Sequence, residues 1–115
     1  MEEIKCKPIK LFKFEDEGDT EKVIVNGMEF LIFFWRHAKP PFYTAHVITK
    51  DTPFSLLNIE PITPRNEFST REEAIEAIKE FARRFGYRKD ITTSDIKTEA
   101  KIRALEKIST FKVKK

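Results

Sequence analysis

A chain of 115 residues, 40% hydrophobic and 36% charged, carries enough apolar material for one folded core and lies far from disordered compositions. Its single cysteine, Cys6, excludes an internal disulfide, and no Cys/His cluster has zinc spacing. The longest apolar run, residues 30–35, is far short of the roughly 20 residues that cross a bilayer, and no apolar run follows a charged start as in a signal peptide. A reducing, cytoplasmic setting with no membrane contact is the expectation.

The net charge of +3 is unevenly spread. Residues 1–60 hold 8 Lys or Arg against 10 Asp or Glu, whereas residues 81–115 hold 11 against 4. The cationic half points to an anionic partner. Gln is absent while Lys, Arg and Glu abound, as in proteins from hot environments, so a thermostable fold melting above about 60 °C is expected. Phe outnumbers Tyr and Trp by 11 to 2 and 1, a choice that fills cores more than interfaces.

In chain order, residues 9–14 (IKLFKF) are β-prone and end in the acidic turn EDEGD. Residues 22–25 and 28–35 flank Asn26-Gly27, the strongest short hairpin signal, because a type I′ turn needs positive φ at both central residues. After a loop with Pro40 and Pro41 comes a strand over residues 42–49, then a short fifth strand over 54–59, closed by Pro61 and Pro64. In residues 68–87 either Ser69 with Glu72 or Thr70 with Glu73 forms a capping box. Ala74, Ile75, Ile78, Phe81, Ala82 and Phe85 make one apolar stripe, and Gly86 stands where a helix stops. A second helix is predicted over 94–109, capped by Thr93 or Ser94, before a basic tail 110–115. The expected fold is one α+β domain over residues 1–115. An antiparallel sheet of four or five strands (about 9–60) is followed by helices at about 70–86 and 94–109.

The stretch EFLIFFWRH, residues 29–37, breaks the alternation of a strand covered on one side. Met28, Phe30, Ile32 and Phe34 form one row; Leu31, Phe33 and Trp35 form the other. The first helix covers one row. For the second, three covers are open: the second helix or a curled sheet, a dimer partner, or stacked bases. The first is preferred and the dimer comes next; base stacking comes last, because these rows lack the interleaved Lys and Arg of base-stacking sheets. Leu31, Phe33, Trp35 and Tyr43 are the candidate interface in the second case, that of a protein-interaction or homodimerisation domain.

No catalytic signature is present: no GxSxG, HExxH or phosphate-binding glycine loop. His46 shares a row with Phe42, Thr44 and Ile48 and reads as a packed histidine, and His37 ends a strand. Cys6 sits between Lys5 and Lys7, which would lower its pKa if they faced it, although a plain surface thiol is the simpler reading. The run Glu15, Asp16, Glu17, Asp19, Glu21 fails calcium-loop spacing and reads as a solvated turn. A non-enzymatic module without metal or cofactor is expected. Its leading contact is with DNA or RNA phosphates, through Arg83, Arg84, Arg88, Lys89, Lys97 and Lys101. Arg36 and Lys39 join them in a proline-stiffened loop. Cations near a helix C-terminus also complement its dipole without any partner.

The order of elements, with Phe68, Ser69, Thr70, Glu72, Glu73, Ala74 and Ala77 opening the helix, resembles AP2-type and integrase-arm DNA-binding modules over residues 21–86. Capping and amphipathicity explain the same residues. Such modules read DNA with Arg and Trp on strand faces, whereas these strands are nearly all apolar, so no family is assigned.

Overall fold

The computed structural model describes residues 2–10, 19–51, 57–58, 67–99, 101, 102 and 105. Five antiparallel strands lie side by side in chain order: β1 (Ile4–Ile9), β2 (Thr20–Val25), β3 (Met28–Trp35), β4 (Phe42–Val47) and the two-residue β5 (Leu57–Asn58). Helix α1 (Arg71–Arg84) follows. A second helix, α2, covers 93–99, and residues 101, 102 and 105 are helical too. The architecture is α+β, as the patterning predicts.

The hairpin forms at Asn26-Gly27, with φ of 48° and 88°, and Val25 faces Met28 across it. The Asn26 N–H donates to the Glu3 carbonyl (2.9 Å) and the Glu3 N–H donates to Asn26 Oδ1 (2.7 Å), tying the turn to the start of β1. β1 itself is a correction. The strand expected at residues 9–14 falls largely outside the described residues, and the observed one is IKCKPI. Its charges and Pro8 hide it from a propensity reading. An edge strand tolerates both, since one side of its backbone needs no partner.

Helix α1 begins at Thr70, whose Oγ1 accepts from the Glu73 N–H at 3.1 Å. The Glu73 carboxylate reaches back to the Ser69 N–H at 3.2 Å, so Thr70 with Glu73 is the box that forms. Such a cap contributes about 1 kcal/mol. At the other end the Gly86 N–H bonds Arg83 O and the Tyr87 N–H bonds Ala82 O. This is a Schellman closure, with Gly86 at φ 61°. The α2 cap differs from both expected candidates. It is Thr92, whose N–H donates to Asp95 Oδ2 (2.9 Å) while its Oγ1 accepts from the Asp95 N–H (3.3 Å). The Asp51 carboxylate adds a contact to the Thr93 N–H at 3.1 Å, and the Lys50 N–H donates to Ile91 O.

One face of the sheet holds the core. Val23 and Val25 of β2, Met28, Phe30 and Ile32 of β3, and Ala45 and Val47 of β4 pack with Ala74, Ala77, Ile78, Phe81 and Ala82 of α1. Phe30 and Phe81 meet edge to face, with ring centroids 5.8 Å apart. Ile91 and Ile96 join this same cluster. The described part of α2 therefore packs on the α1 side of the sheet and does not cover the second row. The reason is local. Helix α1 ends in a tight reversal, and the Asp51 and Lys50 contacts hold the start of α2 beside it.

Candidate nucleic-acid interface

The cations expected to bind phosphate separate into two groups. Every described arginine already holds a carboxylate. Arg83 grips Glu2 through two hydrogen bonds (2.7 and 3.0 Å), and Tyr87 Oη donates to the same group at 2.7 Å. Arg84 pairs with Glu99, Arg88 with Asp90 and Asp95, Arg36 with Asp19, and Arg71 with Glu21. Arg83 thus fastens α1 to the segment before β1, Arg84 fastens it to α2, and Arg71 fastens its start to β2. Arg83, Arg71 and Arg36 each hold their carboxylate through two guanidinium nitrogens, the planar pairing that arginine forms best. The Arg83 guanidinium, then the Tyr87 hydroxyl, holds the Glu2 carboxyl below its ordinary range, and Arg71 does the same for Glu21 against a smaller opposing effect of burial.

The lysines behave differently. Lys5, Lys22 and Lys79 pair with Glu3, Glu29 and Glu76. Lys7, Lys10, Lys39, Lys50, Lys89, Lys97 and Lys101 make no ion pair among the described residues, and all seven are exposed. Lys97 of α2 and Lys101, which is helical too, lie four residues apart, a helical spacing. The Lys89 side chain runs over the hairpin turn, so close that a Cβ placed on Gly27 would clash with its Cε.

The second sheet face is the other candidate surface. Strand register places Lys5 and Lys7 of β1, Lys22 of β2, Leu31, Phe33 and Trp35 of β3, and Phe42, Thr44 and His46 of β4 on it together. Its cover is graded. Leu31, flanked in register by Lys22 and His46, is 4% exposed; Phe33 is half-buried; Trp35 is 50% exposed. Trp35 Nε1 donates to Thr44 Oγ1 at 2.9 Å, and that oxygen lies 3.0 Å from His46 Nε2. The Trp35 and Phe42 rings stack at 6.1 Å and 22°, and Phe33 meets His46 edge-on at 5.0 Å. The indole is therefore fixed in orientation although half of it faces solvent.

Tyr43 does not join this set. It lies opposite Phe34 on the helix-covered face, stacked on it at 4.7 Å and bridged to Phe68 through two backbone hydrogen bonds of 2.8 Å. Cys6 also lies on that face. Alternation sends Lys5 and Lys7 away from it, and partial burial together with the Glu21 carboxylate pushes its thiol up, the reverse of activation. His46 is buried within the Thr44 and Phe33 contacts, and His37 is exposed. Among the described residues no group of three or more His, Cys, Asp and Glu could hold a metal ion, and no helix is long and apolar enough to cross a membrane.

Sequence reasoning missed two contributors: β1, whose lysines reach the second face, and Glu2, which occupies Arg83. The alternation K-C-K at residues 5–7 is the one signal that points to the first. No signal marks the second, because the two residues are 81 apart in the chain. No protein-family model, curated protein or solved structure matches this chain.

Proposed function

We propose that this chain is a non-enzymatic cytoplasmic module that holds nucleic-acid phosphates through lysines, with little preference for sequence. The supporting observation is the division of labour among its cations. The arginines are engaged in pairs that join elements of the fold, while Lys89, Lys97 and Lys101 of the basic half are exposed and lack carboxylate partners among the described residues. An ammonium on a flexible stem approaches a phosphate as a point charge, and the free energy comes from released counterions.

The test is fluorescence anisotropy with labelled single-stranded and duplex oligonucleotides. Affinity is expected to fall steeply between about 50 and 200 mM salt. Lys97→Glu with Lys101→Glu should weaken binding alike across sequences and flatten the salt slope by about one unit per lost contact. Arg83→Glu and Arg84→Glu are expected to lower stability first. Absence of binding at low salt to either nucleic acid removes the reading.

A further inference from the structure

We infer that the nucleic acid this module takes is single-stranded, with unpaired bases stacking on the Trp35–Phe42 corner of the second sheet face. This rests on the phosphate-binding reading above and names the ligand class. Three observations carry it. First, the indole is half exposed yet held rigid by Thr44 and by its stack on Phe42. A preset aromatic plane loses little freedom on receiving a second ring. Second, the charge on this face suits an anion. Lys5 and Lys22 are paired with Glu3 and Glu29, which leaves Lys7 as the ammonium on its strands without a carboxylate partner among the described residues. The loop beside Trp35 adds Lys39, exposed and without a carboxylate partner among the described residues. A sheet face with stacking rings at one corner, Lys39 in the loop beside them and Lys7 two strands away in register with Leu31, suits a ligand that alternates planar apolar units with phosphates. Third, an unpaired base is free to stack on an exposed ring, whereas the bases of a duplex are occupied by stacking on one another.

Trp35 is the only tryptophan, so intrinsic fluorescence reports this corner directly. The experiment titrates the full chain with a single-stranded DNA oligonucleotide, a single-stranded RNA, a duplex and inorganic polyphosphate. Single strands are expected to quench the emission, and duplex and polyphosphate to leave it nearly unchanged. Trp35→Ala should lower single-strand affinity about 5- to 150-fold and leave polyphosphate affinity as it was, while Trp35→Phe retains most of it. Circular dichroism checks that the variants fold, and quenching of the unaltered chain does not depend on any variant. Single strands that bind without quenching and ignore Trp35→Ala would overturn the stacking inference and leave phosphate binding intact. Loss of all polyanion binding would overturn both. A blue shift that grows with protein concentration alone, with a dimer in light scattering, would give the corner to a second copy and overturn the inference.

Discussion

The two faces of β3 are made of almost the same residues and end in different states. Phe30 and Ile32 are sealed between sheet and helices, whereas Phe33 is half-buried and Trp35 half exposed on the opposite side. Apolar composition therefore does not decide burial; the elements that arrive on each side do. Helix α1 and the described part of α2 settle on one face, because the reversal after Gly86 and the Asp51 and Lys50 contacts return the start of α2 to the side of α1. The other face is closed at its centre, where Leu31 lies between Lys22 and His46, and opens toward Trp35. A strand that is apolar on both sides need not be a strand buried on both sides.

The largest expected effect sharpens this contrast. Phe30→Ala should cost about 3–5 kcal/mol in chemical denaturation, since it empties the centre of the helix-covered face. Leu31→Ala is expected to cost about 2–3 kcal/mol, at the lower end for buried leucines, because flexible Lys22 closes over the gap. Trp35→Ala should cost about 1–2 kcal/mol, as half of the ring is already in water. Equal losses at Phe30 and Trp35 would break the comparison.

A smaller effect is local to α1. Thr70→Ala removes the hydroxyl that accepts from Glu73 and should cost about 1 kcal/mol. Ser69→Ala at the neighbouring position should be nearly neutral, which denaturation curves of the two variants will distinguish.

The smallest expected effect is a gradual loss in acid. The carboxyls of Glu21, held by Arg71, of Glu2, held by Arg83 and Tyr87, and of Asp95, held by the Thr92 N–H, all lie below their ordinary values. Groups whose pKa is lowered on folding bind fewer protons in the folded state. Their stabilisation is complete above the ordinary carboxylate range and is lost as pH falls from that range through their lowered values. Urea midpoints are therefore expected to be level from about pH 7 to 5 and to drop toward pH 3. Arg71→Gln should flatten part of that drop, and an unchanged profile would show that the pair between α1 and β2 contributes nothing.

Much of the fold was legible because it rests on local chemistry. Asn26-Gly27 can adopt the positive φ values of its turn, Thr70 and Glu73 cap a helix that follows at once, and Gly86 ends it. The sites were legible only in part. Arg83, Arg84 and Arg88 look like a cluster aimed at phosphate until Glu2, Glu99, Asp90 and Asp95 are seen against them. Tyr43 looks like a companion of Trp35 until the pairing of β3 with β4 sends it to the other face. The lysines of β1 look irrelevant to an aromatic surface until their strand pairs with β2. The predicted turn around residues 15–19 falls largely outside the described residues, although Asp19 and Glu21 hold Arg36 and Arg71.

By itself, the amino-acid sequence determined the hairpin, the caps of α1 and the α+β order, since each follows from the backbone preferences and side-chain reach of residues at most a few positions apart. Only the tertiary structure decided which cations are spent on carboxylates, which face receives the helices and which ring is left to solvent. These depend on partners as far apart as Glu2 and Arg83, and such encounters are set by how the packed elements meet.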